Sequence, residues 1–245
     1  MQKSAFSNRS NINSHKTFLE GDENMVRFGD YTFDDSAKSK LETYEWDRIW
    51  QDHVTDTDTR RVLIIGDSIS AGYMQKIPEV SGGKLLQTSL ATSKALDNPC
   101  LKPMIDMVGC QLIGNCNAVT FNSGLHGWHL SVEAYEALLD DMAAFLCERF
   151  KDKKIFSVNT TPTRNGDDMS FTDKLDRIRA LNEAMSRVAE KYSLEVIDLF
   201  SVAYAHPEYY AQDGVHMKDE GYLEFARLIC EKVMQKFNLD KNSAV

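Results

Sequence analysis

The chain has 245 residues, 42% hydrophobic and 27% charged, with 28 Lys and Arg against 37 Asp and Glu for a formal net charge of −9. This length and composition fit one α/β domain with a full core. The acid excess, with no basic cluster to offset it locally, argues against nucleic acid or an anionic membrane surface as a partner. No apolar run approaches the roughly 18 residues that span a bilayer.

The stretch Met1 to Asn24 is rich in Ser, Asn, Lys and Glu and lacks the apolar middle of a secretory leader. A cytoplasmic location is the default expectation, with secretion left open should a leader have been removed. Residues 1–25 read as a flexible tail. Residues 26–60 read as an aromatic-rich extension packed on the domain, with Tyr44-Glu45-Trp46-Asp47-Arg48-Ile49-Trp50 as a short amphipathic segment. The five cysteines (Cys100, Cys110, Cys116, Cys147, Cys230) show no CxxC spacing, so no metal centre is expected. Cys110 and Cys116 are the one conceivable pair, and reduced thiols are expected in a cytosolic setting.

From Arg61 onward strand and helix patterns alternate. Arg61 to Ile65, with its run Val62-Leu63-Ile64-Ile65, has the composition of a strand buried on both faces. Lys84 to Ser89 is a weaker second strand. Asp97-Asn98-Pro99 signals a helix start toward Leu112, and Ala118 to Phe121 is a third strand. Ser131 opens a helix with apolar residues at helical spacing through Phe150. Lys154 to Asn159 is a fourth strand, and a helix from Thr172 or Asp173 to Tyr192 follows a polar loop. Leu194 to Leu199 is a fifth strand, and Asp219 to Phe237 is the last helix. The expected fold is a three-layer α/β/α sandwich on a mostly parallel five-stranded sheet over residues 61–240.

The candidate chemistry sits at the carboxyl ends of these strands, where open α/β sheets build their sites. Gly66-Asp67-Ser68 follows the first strand at a strand-to-helix turn, so the backbone N–H of Ser68 faces outward as a donor for negative charge. Asp67 reads as a helix cap. Asp213-Gly214-Val215-His216 lies just before the last helix. An alcohol is a poor nucleophile until a base takes its proton. A histidine does this near neutral pH when a carboxylate holds its other ring nitrogen. Ser68, His216 and Asp213 have the residue types for that set, at the two ends of the α/β region. Alone, the serine reads equally as a cap and Asp213-Gly214 as a plain turn.

With both motifs in place, the chain resembles the GDSL/SGNH hydrolase family. Members carry the nucleophile in Gly-Asp-Ser and an Asp-x-x-His motif before the last helix. Met217-Lys218-Asp219-Glu220-Gly221-Tyr222 also resembles the family's continuation, and the likeness covers about residues 61–237. It implies the flavodoxin-like SGNH hydrolase fold, no cofactor, and a serine esterase acting through an acyl-enzyme on a small-molecule or carbohydrate ester. Ser68 is then the nucleophile, His216 the base and Asp213 its orienter.

The family's Gly-x-Asn-Asp motif, whose asparagine donates to the oxyanion, is replaced here by Gly124-Leu125-His126-Gly127. His126 takes the asparagine's place, since an imidazole N–H can serve. Asn122 is the alternative amide donor, and Gly124 and the Ser68 N–H complete the candidate oxyanion set. The family's glycine after the second strand has no counterpart in Thr88-Ser89-Leu90-Ala91-Thr92-Ser93-Lys94. Trp128 and Arg164 are candidate substrate contacts. Short acetyl esters are the expected substrates. The alternatives are a thioesterase or lysophospholipase on the same triad, and a non-catalytic carbohydrate-binding protein on the scaffold. The oligomeric state is not indicated.

Overall fold

A computed structural model describes residues 26–28, 31–33, 42–110 and 116–238. The expected tail over residues 1–25 lies outside the described residues, as do the last residues of the helix expected to reach Leu112. The chain divides into two units, Met1–Ser36 and Ala37–Val245. The first contains an antiparallel pair, β1 (Val26–Phe28) and β2 (Tyr31–Phe33), with Val26 opposite Phe33.

The second unit is built on a six-stranded sheet. Its strands are β3 (Asp47–Gln51), β4 (Arg60–Gly66), β5 (Leu85–Thr92), β6 (Ala118–Phe121), β7 (Lys154–Val158) and β8 (Glu195–Ile197). The spatial order is β3-β5-β4-β6-β7-β8. Strands β4 to β8 run parallel to one another, and these are the five expected from the sequence. The sixth, β3, pairs antiparallel with β5, Asp47 opposite Thr92 and Gln51 opposite Thr88. The sequence suggests only an amphipathic segment there, because four of the five β3 residues are exposed and the strand shows no buried run. Its extended form comes from the ladder it makes with β5.

Side-chain alternation along β4 divides the core. Val62 and Ile64 face one cluster with Ile69, Tyr73, Phe225, Ile229 and Val233. Leu63 and Ile65 face the other, with Leu101, Ile105, Leu139, Leu146 and Met185. The first face is covered by α1 (Ser68–Tyr73), α2 (Ile77–Val80) and α7 (Asp219–Lys236). The second is covered by α3 (Leu101–Cys110), α4 (Val132–Arg149) and α5 (Leu175–Lys191). Ser131 caps α4 by accepting from the Ala134 N–H at 3.2 Å, as its position before the helical stripe predicts. The stretch expected to end the fifth strand instead turns at Asp198, which accepts from the Ser201 N–H at 3.0 Å and opens α6 (Leu199–Ala205). Cys116 is buried with a free thiol, and burial pushes that thiol up to about 11. Among the described residues, no helix is long and apolar enough to cross a membrane.

Arg61, on β4, is 1% exposed. Its guanidinium donates to the carbonyls of Asp52 at 2.6 Å, His53 at 3.0 Å and Gln87 at 3.1 Å. It therefore ties the β3–β4 connection to β5. Removing it takes a donor from three carbonyls, at about 1–3 kcal/mol for each buried group left without a partner. Arg61→Ala should lower the unfolding free energy by about 2–4 kcal/mol. In urea denaturation this appears as a lower midpoint at unchanged slope; an unchanged midpoint would show that the guanidinium ties nothing.

Candidate active site

The sheet order creates the site. From β4 the chain moves to β5 on one side, and from β6 it moves to β7 on the other. The loops after β4 and β6 therefore diverge and leave a crevice at their carboxyl ends, the usual place for ligands in open α/β sheets. A narrow recess lies there. It is lined by Gly66 and Asp67 from the first loop, Asn122, Gly124 and His126 from the second, and Thr92 and Lys94 from the end of β5.

Ser68 is the first residue of α1. Asp67 caps that helix, its Oδ1 accepting from the Ile69 N–H at 2.9 Å. A side chain at Gly66 would collide with Ser70 Oγ at 2.1 Å, so the tight turn from β4 into α1 requires glycine. Within α1 the Ser68 N–H has no acceptor, as for the first N–H of any helix. Ser68 is half-buried.

The base and its orienter are held by one turn. Asp213 Oδ2 meets His216 Nδ1 at 2.7 Å, and Oδ1 accepts from the N–H groups of Val215 and His216, both at 2.9 Å. Partial burial works against the Asp213 charge, but the His216 ring and the two amides outweigh it and hold the carboxyl below its ordinary range. Gly214, at φ +67°, closes the turn, and a Cβ there would lie 1.9 Å from the Arg164 carbonyl. Among the described residues Ser68 Oγ and His216 make no hydrogen bond to each other. Asp67 stands between the two elements. This carboxylate, directly before Ser68, lies within electrostatic range of both the His126 and the His216 imidazoles.

Asp67 is 3% exposed and its Oδ2 has no hydrogen-bond partner. Burial raises its carboxyl well above the ordinary 3.8; His126, the amides of Ile69 and Ser70, and His216 oppose that rise only in part.

Of three further candidate contacts, Asn122 lines the recess with its amide engaged, while Arg164 and Trp128 lie outside it. Asn122 donates its side-chain amide to the carbonyls of Val158 at 2.9 Å and Asn159 at 3.2 Å. Both amide protons are thus committed to joining the β6 and β7 loops, which removes Asn122 as an oxyanion donor. Arg164 is buried, donating to the carbonyls of Met169 at 2.6 Å and Tyr204 at 2.7 Å, with its guanidinium 4.0 Å from the centre of the Phe171 ring. It pins its own loop to α6 and lies outside the residues that line the recess. Trp128 packs against the first core cluster with Lys174 Nζ 4.5 Å above its ring, outside the residues that line the recess. His126 and Gly124 remain in the recess.

One site residue carries no sequence signal. Glu42 Oε1 meets His126 Nδ1 at 2.7 Å across 84 residues of chain. No spacing or motif links positions so far apart.

Residues 117–223 match the GDSL-like lipase/acylhydrolase family. That span holds His126, Asp213 and His216, while Ser68 lies before it. Among solved structures, a putative acylhydrolase from Bacteroides fragilis is 18% identical with a TM-score of 0.57, covering 74% of this chain and 89% of its own. The lipase/acylhydrolase from Enterococcus faecalis is 18% identical with a TM-score of 0.57, covering 73% and 97%. An acetylxylan esterase from Geobacillus stearothermophilus is 14% identical with a TM-score of 0.56, covering 73% and 96%. At these identities the likeness is one of fold. No curated protein matches the chain.

The environment of Asp67 yields a pH-dependent prediction. A carboxyl whose folded value is raised stabilises fully below its unfolded value of 3.8 and loses that contribution as pH rises through the raised folded value. Asp67→Asn keeps the capping oxygen and removes the buried charge. The variant should melt about 2–4 °C above the wild type at pH 8, with the gap closing toward pH 4. A gap that widens toward acid would contradict the assignment.

Proposed function

We propose that this ester-hydrolysing member of the GDSL-like lipase/acylhydrolase family works through an acyl-enzyme on Ser68, with short-chain esters on carbohydrates as its substrates. The observation that carries this reading is the Asp213–His216 pair at 2.7 Å, standing at the same sheet edge as the α1 N-terminus that presents Ser68.

In this reading, Ser68 Oγ attacks the acyl carbonyl and His216 Nε2 takes the hydroxyl proton. The pair need not be hydrogen-bonded before substrate arrives, because such contacts commonly tighten only in the substrate complex. Asp213 Oδ2 keeps the proton of His216 on Nδ1 and balances the charge of the imidazolium as it forms. The tetrahedral oxyanion is met by the Ser68 N–H, free at the start of α1, and by His126 from the β6 loop. On collapse His216 returns its proton to the leaving alcohol. A water molecule, deprotonated by the same ring, then releases the acid.

The substrate class rests on two supports. The recess is narrow and mixes Asp67, Thr92, Lys94 and His126 with Ile65, Leu101 and Phe121, and it offers no long groove for an extended acyl chain. A structural neighbour is an acetylxylan esterase.

Ser68→Ala should lower turnover of p-nitrophenyl acetate by about 10³-fold or more at unchanged melting temperature. Unchanged turnover would refute the nucleophile. Across a p-nitrophenyl series, kcat/KM should fall steadily from acetyl to octanoyl. A rise with chain length would move the protein to the lysophospholipase class.

A further inference from the structure

The segment before β3 reaches one of the residues that line the recess. Glu42 reaches His126, and the chain between Glu42 and β3 is clipped onto the end of β5. The Glu42 N–H donates to Glu45 Oε1 at 2.9 Å, and Ser93 Oγ donates to Glu45 Oε2 at 2.7 Å. Trp46 and Ser93 exchange two bonds, from the Trp46 N–H to Ser93 Oγ at 3.0 Å and from the Ser93 N–H to the Trp46 carbonyl at 3.1 Å. The Trp46 ring stands edge-on to the imidazole of His126, with centroids 6.3 Å apart. His126 is thus held on one face by an aromatic ring and at Nδ1 by a carboxylate, with a side chain only 17% exposed.

A carboxylate only accepts, so its partner Nδ1 carries a proton. In a neutral ring held this way Nε2 has a lone pair, which would repel an oxyanion. Only the doubly protonated ring offers an N–H there. Two acidic side chains lie near the ring. Glu42 faces it from the segment before β3 and Asp67 from the β4–α1 turn. The cation nearest the recess, Lys94, is already taken up by Asp47 at 2.8 Å and Glu45 at 3.7 Å.

We propose that Glu42 is a positioning residue for the hydrolysis: it fixes the His126 ring by Nδ1 and balances its charge, so that Nε2–H becomes the side-chain donor to the oxyanion. The proposal rests on the reading of Ser68 as the nucleophile, and deepens it by assigning to the N-terminal extension a part in transition-state stabilisation. No atom of Glu42 touches the reacting ester. Its effect belongs to the charge that develops on the carbonyl oxygen, so it acts on kcat rather than on KM.

The test uses the full chain. Glu42→Gln keeps the shape and a hydrogen-bond acceptor but removes the charge, and should lower kcat for p-nitrophenyl acetate about tenfold or more, with KM within about twofold. In a His126→Asn background, where the donor is an amide and needs no counter-charge, the same substitution should have no further effect. A Glu42→Gln enzyme within twofold of wild-type kcat overturns the proposal. So does an equal loss in both backgrounds, which would mark a purely structural contact. A second measurement is independent of turnover and of whether His126→Asn folds. Reaction of ¹⁵N-histidine-labelled protein with a fluorophosphonate places a phosphonyl oxygen where the oxyanion would be. Nitrogen chemical shifts should then show His126 doubly protonated in the wild-type adduct and singly protonated in the Glu42→Gln adduct. A neutral His126 in the wild-type adduct overturns the role of Glu42 while leaving Ser68 as the nucleophile. Failure of the wild type to form any adduct overturns Ser68 as the nucleophile, and the role of Glu42 falls with it.

Discussion

The pairing of β4 with β5 on one edge and β6 on the other is the constraint on which the rest depends. Parallel ladders on both edges leave β4 wholly inside the sheet, and its four-residue apolar run is the composition such a position demands. The connections out of β4 and β6 then run in opposite directions, and the crevice between them follows from topology alone. The turn from β4 brings Gly66 and Asp67 to it, directly before the serine that starts α1, and the turn from β6 brings a glycine and a histidine. The third contribution, from the loop before α7, arrives by packing of α7 against the face that α1 also covers.

Asp67 shows what this arrangement costs. A capping carboxylate with one oxygen in the helix cap and the other buried without a partner is unfavourable wherever water is excluded. The two imidazoles within its range offset part of that cost. Asp67, the residue before Ser68, therefore lies within electrostatic range of rings contributed by two distant loops. Local destabilisation of this kind belongs to functional sites rather than to the core.

Much of this was legible in the residues, and where it was not the reason is physical. Val62 to Ile65 announce a central strand because burial on both faces removes the need for alternation. Ser131 announces α4 because a capping hydroxyl acts over three residues of chain. Asp213 and His216 announce their contact for the same reason: the interaction is local. The edge strand β3 was hidden, since a strand with little buried surface takes its conformation from its partner. The start of α6 carried a usable signal in Asp198 and Ser201, masked by the apolar residues around it. The donors of Asn122 and Arg164 could not be assigned from the sequence, because polar residues at a sheet edge can serve a ligand or the backbone, and composition does not distinguish the two. In both cases carbonyls of neighbouring loops claim the donors. Glu42 could not have been found from pattern, because its meaning lies in a contact with no periodicity.

The edge strand and Glu42 are connected. Burial does little for β3, whose Ile49 and Trp50 remain 40% and 46% exposed. What it contributes is hydrogen bonding and register: Asp47 opposite Thr92, Trp46 tied to Ser93, Glu45 to Ser93, Asp47 to Lys94. These contacts gather at the end of β5 that borders the recess, where they restrain the loop after the strand and carry the preceding chain across toward His126. A strand kept only for stability would be expected to bury apolar surface. One kept for position would spend its interactions on register near the site, as β3 does. The segment from Glu42 to Gln51 is in this sense tied to the recess, with Glu42 holding one nitrogen of the imidazole that the β6 loop presents there.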